Sequence, residues 1–119
     1  MFNLLKSSFA VAVLMFSSVV NSETVRVTGK VSSITVPTNT DINTFYFKLD
    51  PMPADIKHSF FVRYGNGNYK SCKLLGNENT TNRAYSAILT AKSTGKPITI
   101  TYCDAGDGYG LVNGKITIN

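Results

Sequence analysis

At 119 residues, with 12 basic side chains against 7 acidic ones and 43% hydrophobic content, the chain has material for one modest domain. A single histidine beside two cysteines leaves no adequate ligand set for a metal centre, and no cofactor is expected. The cations are scattered singly, without the block that marks a nucleic-acid arm.

Residues 1–22 place Lys6 ahead of an apolar run over 9–16 and close on Val20-Asn21-Ser22, the small-residue spacing a signal peptidase reads. This predicts an exported protein, periplasmic or secreted, whose working part is residues 23–119. The apolar run is far shorter than the roughly 20 residues a spanning helix needs, and no second one follows, so no membrane span is expected. Losing Lys6 leaves 11 basic against 7 acidic residues, a net +4. Export puts ATP, NAD and nucleic acid out of reach as partners. The modest positive field favours anionic surfaces such as lipopolysaccharide or sialylated glycans.

Residues 24–36 alternate with Val25, Val27 and Val31 on one parity and Ile34 and Val36 on the other. The change of face at Ser32-Ser33 predicts a β-bulge in one long strand. A polar turn over 38–43 leads to a second strand at 44–49, with Phe45, Phe47 and Leu49 inward and Tyr46 and Lys48 outward. Pro51 and Pro53 end it. A third strand starts near Ser59 and stops at Gly65-Asn66-Gly67-Asn68, a hairpin turn from which residues 69–75 are expected to return along it.

Beyond the polar stretch 76–82 the period lengthens. Ala84, Ala87, Ile88 and Ala91, with Tyr85 and Leu89 at the margins, predict an amphipathic helix over 83–93, capped by Thr81 or Asn82 and stopped by Gly95. Ile98, Ile100 and Tyr102 then form the inward parity of a fourth strand. Residues 104–110 read as a glycine-rich turn, and 111–119 as the last strand with Ile116 and Ile118 inward.

Cys72 and Cys103 lie 31 positions apart, and in an oxidising compartment they pair as a disulfide. On the chain-entropy model a loop of that size contributes about 3.5 kcal/mol. A two-cysteine metal site is the alternative, short of ligands because His58 is the only histidine. The fold class is mainly β (α+β). Its order of three strands, a helix and two strands is that of a five-stranded OB-like Greek-key barrel. A disulfide-tied α+β sandwich fits the same order. The bridge is expected to hold the helix against the barrel.

The segment AYSAILTAKSTGKPITITYC, residues 84–103, resembles exported bacterial OB-fold domains, the B subunits of subtilase cytotoxin and pertussis-like toxins. It is also similar to short secreted proteobacterial proteins with one cysteine before the helix and one after the strand. The resemblance implies a bacterial, glycan-binding subunit able to form a homo-oligomeric ring, with a toxin-like catalytic A subunit as partner. Those toxin subunits carry more cysteines, and their sugar-contacting residues find no counterpart here one by one. The fold is therefore carried over and the site is not.

Candidate site residues come from this chain alone. A sugar site needs aromatic faces for stacking and fixed polar groups for hydroxyls. Tyr46 and Lys48 on the outward parity of the second strand, Arg63 and Tyr64 at the end of the third, and Tyr109 in the last turn supply them. Catalytic arrangements are thinner. His58 with Asp55 and Ser59 or Ser71 makes only a nominal triad, and Asp104 with Asp107 fits neither an EF-hand nor an RTX repeat. Asp107 to Gly110 lacks the lysine of a phosphate loop, and Asn79-Thr80-Thr81 is a formal glycosylation sequon. The resulting expectation is a non-enzymatic, carbohydrate-binding module. The alternative is a periplasmic interaction or inhibitor protein of the same fold with no glycan ligand.

Overall fold

The structure is a computed structural model and describes residues 25–74 and 76–119. The leader read at residues 1–22 lies outside them. In chain order the elements are β1 (Val25–Thr35), β2 (Thr44–Asp50), β3 (Ser59–Arg63), β4 (Asn68–Tyr69), β5 (Cys72–Lys73), α1 (Glu78–Thr94), β6 (Pro97–Gly106) and β7 (Tyr109–Ile118). Five of these strands pair in a closed barrel, β1-β2-β3-β7-β6, with β6 returning to β1. Every barrel contact is antiparallel except β3 with β7, which is parallel. Among the described residues no helix is long and apolar enough to cross a membrane.

The bulge stands where the parity change puts it. The β1–β2 register slips between Val31 and Ser33, so Val31 faces the core and Ile34 packs against it from beyond the bulge. Phe45, Phe47 and Leu49 of β2 meet Phe60 and Val62 of β3, Ile98, Ile100 and Tyr102 of β6, and Val112 of β7. Ala84, Ile88 and Ala91 of α1 complete this core. Full burial of one such aliphatic side chain contributes about 1.5–3 kcal/mol.

The helix is longer than its stripe suggests, because Asn77 caps it. Asn77 is extended (φ −153°), and its side-chain oxygen accepts from the Thr80 amide at 3.3 Å, five residues ahead of the expected start. Thr81 turns into the protein instead, while Leu89 points to solvent. At the other end Gly95 takes the left-handed conformation (φ 68°) that the last carbonyls need.

Among the described residues the segment after β3 does not return along it. Both edges of β3 are taken, by β2 on one side and β7 on the other, so 68–73 folds on itself as a two-stranded ribbon. Its reversal is at Lys70-Ser71, with Lys70 at φ 55°. The ribbon lies on the outer face of the barrel. There Phe61, Cys72, Cys103, Ala105 and Leu111 form a second buried cluster, flanked by Tyr46, Tyr69 and Leu74. This explains why Ser59 to Val62 is buried throughout, as a strand covered on both faces must be.

The Cys72–Cys103 disulfide is formed, with 5.9 Å between the Cα atoms. It ties the ribbon to β6 within this outer cluster rather than clamping the helix. The glycine-rich stretch near residue 107 is also mostly strand. Only Asp107-Gly108 turns, and Gly106 and Gly110 belong to β6 and β7. Ile116 packs against the core, but Ile118, at the barrel rim, is exposed.

Two expectations follow. A Cβ on Gly110 would come within 2.9 Å of Phe60 Cδ1 and 3.1 Å of Tyr102 Cδ2. Gly110→Ala is expected to destabilise the barrel by about 1–3 kcal/mol in urea unfolding. The buried Tyr102 hydroxyl donates to the Asp55 carboxylate (3.1 Å to Oδ1). Burial, aided by that carboxylate, pushes its pKa up to about 12. A raised folded-state value gives stability that is complete below the unfolded pKa and lost as pH rises through the folded one. Between pH 10 and 12, therefore, the parent should lose stability relative to Tyr102→Phe by about 1.4 kcal/mol per pH unit.

Candidate functional site

Phe61 projects from β3 away from the barrel interior, and aromatic rings gather around it. Its Cα partner on β2 is Tyr46, and their ring centroids are 5.9 Å apart. Tyr69, delivered by the ribbon, meets Phe61 edge-on at 5.3 Å, and Tyr109 at the start of β7 does so at 6.4 Å. Tyr46 and Tyr109 also pair edge to face at 6.1 Å. Edge-to-face pairs of this kind hold ring orientations as well as burying area.

Arg63 lies two residues beyond Phe61 on the same face of β3, and its guanidinium sits 5.1 Å from the Tyr69 ring centre. Tyr46, Phe61, Arg63, Tyr69 and Tyr109 together line a shallow cleft of about 80 Å³. A second depression of about 250 Å³ shares the Tyr46 and Tyr109 walls and is bordered by Ser33, Thr35, Lys48 and Ser59. The two run on either side of the Tyr46–Tyr109 pair. One cation, Arg63 or Lys48, stands in each.

The ribbon that carries Tyr69 is held at two points near its turn. The disulfide fixes Cys72 to β6, and Lys70 Nζ reaches Asp107 Oδ2 at 2.8 Å across to the β6–β7 turn. The lysine's pKa is raised and the carboxylate's lowered by their mutual hydrogen bond and charge, although both are exposed. His58 stacks on Tyr109 with ring centroids 5.1 Å apart and backs that wall of the cleft.

Of the residues expected from sequence, Tyr46 and Arg63 meet in the first cleft, and Lys48 borders the second. Tyr64 is half-buried and lines neither. Tyr109, noted as an aromatic in the last turn, joins both. Phe61 and Tyr69 are the members that sequence reasoning missed. Phe61 sits within an apolar run that does not tell inner from outer, and Tyr69, expected on a strand returning along β3, lies in the β4–β5 ribbon instead. The spacing Tyr69-x-x-Cys72 was the available signal, since a bridged cysteine anchors whatever its hairpin partner carries.

Among the described residues no hydrogen bond joins the His58 ring to Asp55, Ser59 or Ser71. Asp55 accepts from Tyr102, Ser59 is buried, and the His58 ring is against Tyr109. Among the described residues no cluster of three or more histidine, cysteine or acidic side chains could hold a metal ion. Comparison with protein-family models and with curated proteins finds no match.

Because the bridge holds the wall of the cleft rather than the barrel ring, Cys72→Ser with Cys103→Ser should separate the two. The double variant is expected to lose about 3–4 kcal/mol of stability. Below its melting range it should keep the far-UV signature of the barrel and lose near-UV tyrosine dichroism from the Tyr69 cluster. Equal loss of both signals would show that the ribbon and barrel fold as one unit.

Proposed function

We propose that this protein is an exported, non-enzymatic binding module that takes carbohydrate against the Tyr46–Phe61–Tyr69–Tyr109 face. The observation that carries the reading is the cleft that Tyr46, Tyr69 and Tyr109 wall above the buried Phe61, with Arg63 held over Tyr69. Sugar rings present apolar C–H faces that stack on tyrosines, and the hydroxyl edges find the planar donor fork of an arginine. A disulfide suits an oxidising compartment, which agrees with export.

The fold is read as an OB-fold. The supporting features are the barrel order β1-β2-β3-β7-β6, the parallel β3–β7 closure and a helix between the third and fourth barrel strands. OB-folds bind oligosaccharides and oligonucleotides on the face of their second and third strands, the strands that carry Tyr46, Phe61 and Arg63 here. Export favours sugar over nucleic acid. The depression at Lys48 gives the ligand a place to extend beyond the first cleft.

A glycan array with the mature protein tests the reading. Selective binding is expected, weakened about tenfold or more by Tyr69→Ala or Arg63→Ala, the loss of one stacking or charged contact. Tyr64→Ala should leave it unchanged. A blank array, together with recovery of one protein partner from periplasm, would replace the carbohydrate reading with the protein-interaction alternative.

A further inference from the structure

The outer face of β1, β6 and β7 carries a second cleft that shares no residue with the aromatic one. It measures about 300 Å³ and is lined by Arg26, Thr99, Thr101, Lys115, Thr117 and Asn119. Each of these side chains can donate a hydrogen bond, and none is acidic. The only salt bridge among the described residues, Lys70–Asp107, lies elsewhere.

Strand register explains how the donors converge. Arg26 on β1 is the Cα partner of Thr101 on β6. On the other side of Thr101 the β6–β7 register slips between Ile100↔Ile116 and Tyr102↔Val112, so Asn113, Gly114 and Lys115 stand opposite that one residue. Gly114, at φ 117°, lies so close that a Cβ there would be 3.3 Å from Thr101 Oγ1. The bulge thereby sets Lys115 beside Thr101. Two cations flank one hydroxyl, on strands about 10 Å apart.

The next row down is Thr28, Thr99 and Thr117, in register across β1, β6 and β7. Its centre is fixed, since Asn119 Nδ2 donates to Thr99 Oγ1 at 3.0 Å and the Thr28 hydroxyl is 2.8 Å from the same oxygen. We propose that this array is a binding site for a tetrahedral oxyanion, a phosphate group held between Arg26 and Lys115 over Thr101. Such a group has enough acceptor oxygens to use both cations and the hydroxyls at once, where a carboxylate has two. The site is independent of the carbohydrate reading. Its ligand is free phosphate or the phosphorylated headgroup of an envelope lipid, which share this chemistry.

The test is titration of the ¹⁵N-labelled mature protein with inorganic phosphate, against sodium chloride at equal ionic strength. Phosphate-specific shifts are expected at Thr99, Thr101, Lys115 and Thr117. Arg26→Gln and Lys115→Gln should each weaken binding about tenfold or more, while Lys92→Gln on α1 should leave it unchanged. Because Arg26 is near the start of β1, Lys115→Gln, on the exposed bulge, keeps the test valid if the first variant misfolds. Thr101→Val retains both charges and the β-branched shape, and a severalfold loss there supports a built site over diffuse attraction. Flotation with phosphatidate-containing phosphatidylcholine vesicles distinguishes the sources. Capture lost with Lys115→Gln assigns the headgroup, and phosphate shifts without capture assign the free ion. Shifts reproduced by chloride, or Thr101→Val binding phosphate like the parent, would overturn the proposal.

Discussion

The disulfide between Cys72 and Cys103 governs what the outer surface of this protein becomes. Without it a two-stranded ribbon of four paired residues has too little contact area to stay folded on a sheet. With it the ribbon covers Phe61, Leu111 and Ala105, and those residues are apolar because they are covered. One covalent bond thus makes a second buried cluster outside a barrel that already has its own. The aromatic cleft is the margin of that second cluster, where Tyr46, Tyr69 and Tyr109 leave burial and meet solvent.

The outer parity of β6 shows where this cover ends. Reading along the strand it runs Thr99, Thr101, Cys103, Ala105, polar first and apolar after. The polar pair faces water and the donor-rich cleft beside Arg26 and Lys115, while the apolar pair is beneath the ribbon. A single strand therefore supplies the floor of one surface feature and the anchor of the other. Both depend on barrel closure, because Arg26 reaches β6 only through the β1–β6 contact and Tyr109 reaches β3 only through the parallel β3–β7 contact.

Much of the barrel is legible residue by residue. Val31 and Ile34 on opposite parities mark the bulge, because a strand changes face only by adding a residue. Phe45, Phe47 and Leu49 assign the inner face of β2, and Gly95 before Pro97 stops the helix. The helix start was obscured, since Asn77, Asn79, Thr80, Thr81 and Asn82 are all residues of capping chemistry. Which one caps depends on which turn packs on the barrel. Gly106 and Gly110 read as turn residues. Gly110 is instead a strand position with no room for a side chain against Phe60 and Tyr102, a crowding that local sequence does not display.

Of the site, the outward parity of β2 and the end of β3 yielded Tyr46, Lys48 and Arg63, because period two assigns faces within a strand. Local sequence determined the inner faces of β2 and β6, the bulge and the helix stop, since each follows from neighbours a few residues apart, and composition alone supplied two cysteines able to pair. Tertiary structure decided the rest. It chose β7 as the second partner of β3, turned 68–73 into a ribbon, and brought Tyr69 and Tyr109 to Phe61. Those outcomes rest on contacts between distant segments competing for the same strand edge, and local periodicity carries no record of which competitor wins.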